Sequence, residues 1–406
     1  MNCWGHQKQN KKANWWHQAL LPLVMFCVQC AWSQDKAEVM SSHTAGSAVT
    51  HTTPAQLDDG SLTIIGSNEV KQALSMLENM RRRCHERTFQ VSLSPNDATM
   101  YQVVGTLCAN GTFEDKTLQL LLSGGTYSGV YWDFPLNPAV YSYVDAANQQ
   151  GYATLNLARI GVGQSERPSG NLVDVVSHAH VVHQVIQALR AEDNEHTRFE
   201  KIIAVGHSLG SMIAIELAAR HPDDLDGLIL SGFLHNLNPN FFELAQNAYH
   251  PATLDEKFLG QFPHHDYFTT VPDKRAALFY HSQTAEPQVI IMDELTKDTS
   301  SIGETAFTLP FTQTLKIDVP VMLLVGEFDA VFCGGALDCN SASEVHSHQS
   351  DFFTASSCLH TKVIQDAGHS LNLHTNAPAT FAHMNRWADR KIGNGKHEAT
   401  HPCDVD

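Results

Sequence analysis

Lys201-Ile202-Ile203-Ala204-Val205 is an apolar run; Gly206-His207-Ser208-Leu209-Gly210 follows it, and Ser211-Met212-Ile213-Ala214-Ile215-Glu216-Leu217-Ala218-Ala219-Arg220 then reads as a helix. Strand, sharp turn and helix around G-x-S-x-G form the setting in which a serine is lifted above a sheet. In so tight a turn, side chains at positions 206 and 210 would collide with the neighbouring strand and helix, so glycine is required at both. Ser208 then stands at a helix N-terminus. There the helix dipole and free backbone N–H groups favour developing negative charge. His207, inside the turn, is expected to point away from Ser208 and to pack.

The pattern repeats on both sides of this unit. Residues 118–122, 152–157, 225–230, 319–326 and 361–364 read as strands, and 174–190 and 377–391 as helices. This alternation predicts an α/β fold with a mostly parallel sheet covered on both faces. Residues 89–93 and 101–108 read as a hairpin at an early sheet edge, followed by a turn at Asn110-Gly111-Thr112 that is also the one N-x-[ST] sequon. A helix is expected over 69–83, its basic end Arg81-Arg82-Arg83 suiting the C-terminal end of the dipole. The alternation stops over 233–316, a segment rich in Phe, Tyr, His and Pro, which reads as a mostly helical cap over the site.

A serine hydroxyl is a poor nucleophile unless a base takes its proton and an acid orients that base. Asp329 and His369 each follow a predicted strand, and the order Ser208, Asp329, His369 suits this scaffold. Glu327 is the rival acid; His374 and His360 are the rival bases. Two backbone N–H groups must face the developing oxyanion. By position these belong to Leu209 and to Thr126, with Gly125 close behind.

Over roughly residues 89–392 the chain resembles the α/β-hydrolase superfamily, in particular its secreted serine esterase-like members. Besides the elbow and the order of the three residues, Ser123-Gly124-Gly125-Thr126-Tyr127 and Tyr131-Trp132-Asp133-Phe134-Pro135 resemble the H-G-x loop and its following segment. The resemblance implies an eight-stranded sheet, a cap after the sixth strand and hydrolysis through an acyl-enzyme. Two positions depart from the pattern: Ser123 replaces the usual His, and Ala158 replaces the acid often found before R-x-G-x-G-x-S. A serine nucleophile argues against the epoxide hydrolases and haloalkane dehalogenases of this scaffold, which use Asp.

The 406 residues, 43% of them hydrophobic, suffice for one large core or a core with an insertion. The net charge of −17 argues against nucleic acid and anionic membrane surfaces as partners. Lys8, Lys11 and Lys12, the apolar run 19–28 and Ala31-Trp32-Ser33 form a secretory signal over 1–33, too short for the roughly 20 apolar residues of a membrane span. The expected product is extracellular or periplasmic. Six cysteines follow the signal, and an even number in an exported chain indicates disulfides. Cys84–Cys108 is the expected first pair, with Cys333, Cys339, Cys358 and Cys403 sharing two more.

The expected division is signal 1–33, flexible leader 34–61, core 62–232, cap 233–316, core 317–392 and polar tail 393–406. No metal or cofactor is expected. His178 and His180 cannot share a helix face, and His180 and His183 have no carboxylate at suitable spacing in sequence. Gly161-Val162-Gly163 lacks the third glycine of a dinucleotide loop. The reading is therefore an exported serine hydrolase acting on a small, partly apolar carboxylic ester. A lactonase or amidase with the same triad, and a non-catalytic secreted binding protein on this fold, are the alternatives. The sequence carries no signal for an oligomeric state.

Overall fold

Five strands of the core are fully buried or nearly so, because apolar residues occupy both of their faces. The structure, a computed structural model, describes residues 81–191, 198–305 and 309–395. The expected signal and leader, Cys403 and residues 396–406 of the tail lie outside the described residues.

The strands of the main sheet are β1 (Arg82–Val91), β2 (Tyr101–Asn110), β3 (Leu118–Leu122), β4 (Ala153–Leu157), β5 (Ile202–His207), β6 (Gly227–Ser231), β10 (Val321–Gly326) and β11 (His360–Ile364). They lie in the order β1-β2-β4-β3-β5-β6-β10-β11. β1 and β2 are antiparallel to their neighbours, and every pairing from β4 to β11 is parallel. The mostly parallel, eight-stranded expectation holds.

Side chains alternate across this sheet with period two. Leu118, Leu120 and Leu122 of β3 join one apolar cluster, and Leu121 joins the other. The first cluster is closed by helices α2 (Val175–Arg190) and α3 (Leu209–Arg220). The second is closed by α1 (Tyr143–Gln149) and α8 (Ala377–Lys391). Each Leu so buried contributes about 2 kcal/mol of hydrophobic stabilisation. α2 starts where expected because Asp174 caps it, accepting from Ser177 N at 2.7 Å while Ser177 Oγ accepts from Asp174 N at 2.8 Å.

The expected helix over 69–83 is corrected at its end. Arg82 and Arg83 are strand residues, paired with Asn110 and Ala109 of β2. The Cys84–Cys108 disulfide ties directly opposed residues of the two strands, and Arg82 bonds Asp133 at 2.9 Å and Asp145 at 2.7 Å. Tertiary partners on β2 and in the 133–145 segment outweigh the helical spacing there; 69–80 lies outside the described residues.

The insertion falls after the sixth strand. It holds the short helices α4 (Pro239–Ala245), α5 (Arg275–Phe279) and α6 (Pro287–Thr296). It also forms an antiparallel sheet of β7 (Tyr249–Pro251), β8 (Tyr267–Thr270) and β9 (Ser300–Ser301), which the aromatic composition did not reveal. Ala252, Phe258, Phe262 and Tyr267 give the insertion a small core of its own. A further helix, α7 (Ala342–Gln349), lies between β10 and β11. Among the described residues, no helix is long and apolar enough to cross a membrane.

Candidate active site

Ser208 connects β5 to α3 with φ +54° and ψ −117°, a conformation that costs energy for a residue with a side chain. The packing around the turn enforces it. A Cβ at Gly206 would lie 2.5 Å from Gly210 O, and one at Gly210 would lie 2.1 Å from Leu122 O. Both glycines are therefore required for the steric reason read from the sequence. Ser208 N–H donates to Ser231 O at 2.8 Å, tying the turn to β6.

Asp329 and His369 meet although 40 residues separate them. His369 Nδ1 lies 2.8 Å from Asp329 Oδ2, with the two residues 2% and 0% exposed. The other carboxylate oxygen, Asp329 Oδ1, accepts from Val331 N at 2.9 Å and Phe332 N at 3.2 Å. A carboxylate so held fixes the imidazole with Nδ1 toward the acid and leaves Nε2 free. His369 also lies beside the elbow: a Cβ at Gly232, next to Ser231, would be 3.2 Å from His369 Cε1. Among the described residues no hydrogen bond joins Ser208 to His369.

The rival residues have other partners. Glu327 Oε2 accepts from Asp366 N at 3.0 Å, away from the histidine. His374 Nε2 accepts from His281 N at 3.0 Å and Gly368 N at 3.1 Å, and its Nδ1 donates to Ser370 O at 2.9 Å, so it anchors the loop that carries His369. Burial pushes its pKa down to about 4. His360 lies within β11. His207 is buried and stacked on Tyr131, with ring centroids 4.2 Å apart. Burial, reinforced by His369 and Arg275, holds its pKa well below the ordinary imidazole value.

Residues 123–127 form a tight turn next to Ser208. Tyr127 N–H donates to Gly124 O at 3.2 Å, and Ser123 Oγ donates to Tyr127 O at 3.1 Å. Ser123, standing where the family pattern has His, thus braces the turn. A Cβ at Gly124 would lie 3.0 Å from Ser208 Cβ, which places the turn against the elbow. Thr126 has φ +61°, an uncommon conformation for a β-branched residue. The cap holds it there: Asp298 N donates to Thr126 O at 2.9 Å, and Arg275 Nη1 reaches Thr126 Oγ1 at 3.1 Å. Thr126 N–H is itself taken, donating to Ser300 Oγ at 3.0 Å. Among the described residues, the N–H groups of Gly125 and Leu209 have no protein acceptor, and a Cβ at Gly125 would lie 3.9 Å from Leu209 Cδ2.

Four residues of this site escaped the reading of the sequence: Arg159, Arg275, Ser300 and Glu304. Arg159 is buried, donating to Gly124 O at 3.0 Å and to Glu304 Oε1 at 2.6 Å. Glu304 of the cap therefore supplies the acid that Ala158 lacks. Burial pushes its carboxyl up, but Arg159 and His178 outweigh it and hold the pKa down to about 2. Arg275 pairs with Asp293 at 2.8 Å and lies 4.2 Å from the Tyr127 ring centroid. The one local sign was an arginine in R-x-G-x-G-x-S without its usual acidic neighbour.

The histidines of α2 do find a carboxylate, from outside the helix. His183 Nδ1 lies 2.6 Å from Asp224 Oδ2, and His221 completes a group whose ligating atoms lie within 4.8 Å of one another. The His183 and His221 rings stack 3.7 Å apart at 11°. Imidazole lone pairs lie in the ring plane, so rings stacked in this way do not converge on one ion. The Gly161–Gly163 loop follows β4, and Gly163 N donates to Asp298 Oδ2 of the cap at 3.0 Å.

A parallel sheet with an elbow after β5 and a carboxylate–histidine pair after β10 and β11 defines a hydrolase class, and the chain belongs to the alpha/beta hydrolase family, whose model matches residues 119–383. Among solved structures, a thermophilic esterase from Thermogutta terrifontis is similar at 15% identity and a TM-score of 0.54, covering 76% of this chain and 100% of that one. A Bacillus subtilis structure described as a hydrolase is similar at 17% identity and a TM-score of 0.51, covering 80% of this chain and 99% of that one. At these identities the likeness is one of fold. No curated protein matches the sequence.

Proposed function

We propose that the chain is an exported serine hydrolase that cleaves a carboxylic ester. The observation that carries this reading is the buried 2.8 Å pair of Asp329 and His369 beside the strained elbow of Ser208. Ser208 Oγ attacks the ester carbonyl while His369 Nε2 takes its proton, and Asp329 holds the imidazole and stabilises its charged form. The carbonyl oxygen becomes an oxyanion facing the N–H groups of Leu209 and Gly125. Thr126 is placed second to Gly125 for this role, because its N–H is engaged by Ser300. His369 then protonates the leaving alcohol. Water, deprotonated by His369, releases the acid and restores Ser208.

Phe279 and Phe332, with ring centroids 5.6 and 5.8 Å from that of His369, support a partly apolar substrate. Export is supported by the signal-like segment over 1–33 and by the pairs Cys84–Cys108 and Cys333–Cys339. Cys358 is also disulfide-bonded.

The test is labelling of the purified protein with a fluorophosphonate, followed by peptide mapping and an ester panel of varied acyl length. Labelling at Ser208 that disappears in Ser208→Ala, together with ester turnover, is the expected result. Folded protein that takes no label and turns over no ester would sink the reading.

A further inference from the structure

Ser300 lies on β9, a two-residue strand of the cap paired with β8, yet its side chain reaches the core. Its Oγ accepts Thr126 N–H at 3.0 Å, and a Cβ at Gly125 would lie 3.0 Å from the same oxygen. The residue is 3% exposed. Its neighbours use their hydroxyls structurally: Thr299 Oγ1 donates to Gly161 O at 3.2 Å, and Ser301 Oγ donates to Val173 O at 2.6 Å. Among the described residues, the Ser300 hydroxyl proton alone of these three has no protein acceptor.

A hydroxyl carries one donor and two lone pairs, and its hydrogen rotates to meet an acceptor. One lone pair of Ser300 Oγ is committed to Thr126. The free proton therefore sits on an oxygen already fixed beside Gly125, and the N–H groups of Gly125 and Leu209 are also without acceptors. Gly125 lies against both Ser300 Oγ and the Leu209 side chain, and three donors without acceptors in one buried neighbourhood match what a negatively charged oxygen requires.

We propose that Ser300 is a third oxyanion donor, supplied by the cap. The proposal rests on Ser208 as nucleophile. As Ser208 Oγ bonds to the carbonyl carbon and the C=O π pair moves onto oxygen, Ser300 O–H donates to that oxygen, while the Ser208 proton goes to His369. Its interaction strengthens as charge develops, so it acts on kcat rather than on substrate binding. The same geometry couples chemistry to the cap: the hole is complete only with β9 seated on the 123–127 turn.

The test compares Ser300→Ala and Ser300→Thr in the full chain. Ser300→Ala is expected to lower kcat roughly 10- to 100-fold with KM little changed, to slow phosphonylation by a similar factor, and to lower the melting temperature modestly because Thr126 N–H loses its buried acceptor. Ser300→Thr, which keeps the hydroxyl, restores most of the rate. An unchanged or raised kcat in Ser300→Ala would overturn the proposal, a rise meaning that Ser300 plugs the hole. A crystal structure of the wild-type phosphonate adduct gives a check that does not depend on a variant folding. The phosphonyl oxygen is expected about 3 Å from Ser300 Oγ; a hydroxyl turned away overturns the idea. Failure of the nucleophile itself is separately visible, as turnover that survives Ser208→Ala.

Discussion

Arg159 Nη1 and Glu304 Oε1 lie 2.6 Å apart in the interior, joining the exit of β4 to the cap. The same guanidinium donates to Gly124 O at 3.0 Å, and His178 Nε2 lies 2.5 Å from the same carboxylate oxygen. The pair therefore ties three separate segments to the turn beside Ser208. Removing one member strands the other charge in a dry interior, which costs about 3–5 kcal/mol. Glu304→Ala is expected to lower the stability measured by urea unfolding by that order. The double variant Arg159→Met, Glu304→Leu should recover part of the loss, because no bare charge remains. Equal stability of Glu304→Ala and wild type would contradict the assignment.

Asp329 and Glu327 are two residues apart, but only Asp329 reaches His369. Replacing the orienting carboxylate by an amide favours the wrong imidazole tautomer, which in the serine-protease triad lowers kcat about 10⁴-fold. Asp329→Asn is expected to fall by a comparable order on the best ester. Glu327→Gln should stay close to wild type, since its carboxylate only caps Asp366 N. Steady-state kinetics of both variants decide between the two acids; a collapse in Glu327→Gln alone would reverse the assignment.

Acid should destabilise the protein over two pH intervals with distinct origins. His235 is buried, its Nδ1 2.8 Å from Gln349 Oε1 and its ring near His348; burial pushes its pKa down to about 4. His374, near His281, is pushed down by burial to the same value. The unfolded chain binds protons at both near the ordinary 6.5, so stability is fully present above that pH and lost as pH falls from about 6.5 toward 4. Each histidine is worth up to about 3 kcal/mol over that interval. Glu304, held down to about 2, contributes stability above the ordinary carboxylate value and loses it only between about 4.5 and 2. Melting temperature measured against pH should therefore drop first between about pH 6.5 and 4. His235→Gln should make that first limb shallower, His374 keeping its own share, and an unchanged limb would refute the assignment.

The parts of the site legible in the sequence are those that local backbone geometry dictates. Ser208 is announced by two glycines that no other residue can replace in that turn. Asp329 and His369 follow apolar strands whose composition marks them as central. Ser300, Arg275 and Glu304 carry no such mark, since each reaches the core from the cap. Ser300 meets Thr126 across 174 residues, through a two-residue strand that exists only because β8 lies beside it. Thr126 looked like a free donor for the same reason: its competitor lies far along the chain. The end of the expected 69–83 helix failed in the reverse sense, because partners on β2 override the local period over Arg82 and Arg83.

The two described disulfides should separate stability from activity. Cys84–Cys108 spans 24 residues at the sheet edge, with no candidate site residue inside its loop, and constraining such a loop is worth about 3–4 kcal/mol in the chain-entropy account. Cys333–Cys339 closes only 6 residues, which that account values at about 2 kcal/mol. Its position gives it a different weight. Cys333 N–H donates to Asp329 O at 2.9 Å, and Val331 and Phe332, which hold the Asp329 carboxylate, lie between. Phe332 also packs on His369, with ring centroids 5.8 Å apart. Loosening this loop releases the acid from both backbone donors at once. Cys333→Ser with Cys339→Ser is therefore expected to lower kcat about tenfold, together with a smaller fall in melting temperature than loss of the longer bridge causes, since both cysteines are buried in the core but close a shorter loop. Cys84→Ser with Cys108→Ser should lower the melting temperature more, with kcat preserved. Measuring kcat and melting temperature for both double variants tests the pairing of these effects. Equal losses of activity in the two would mean that the short bridge has no special hold on Asp329.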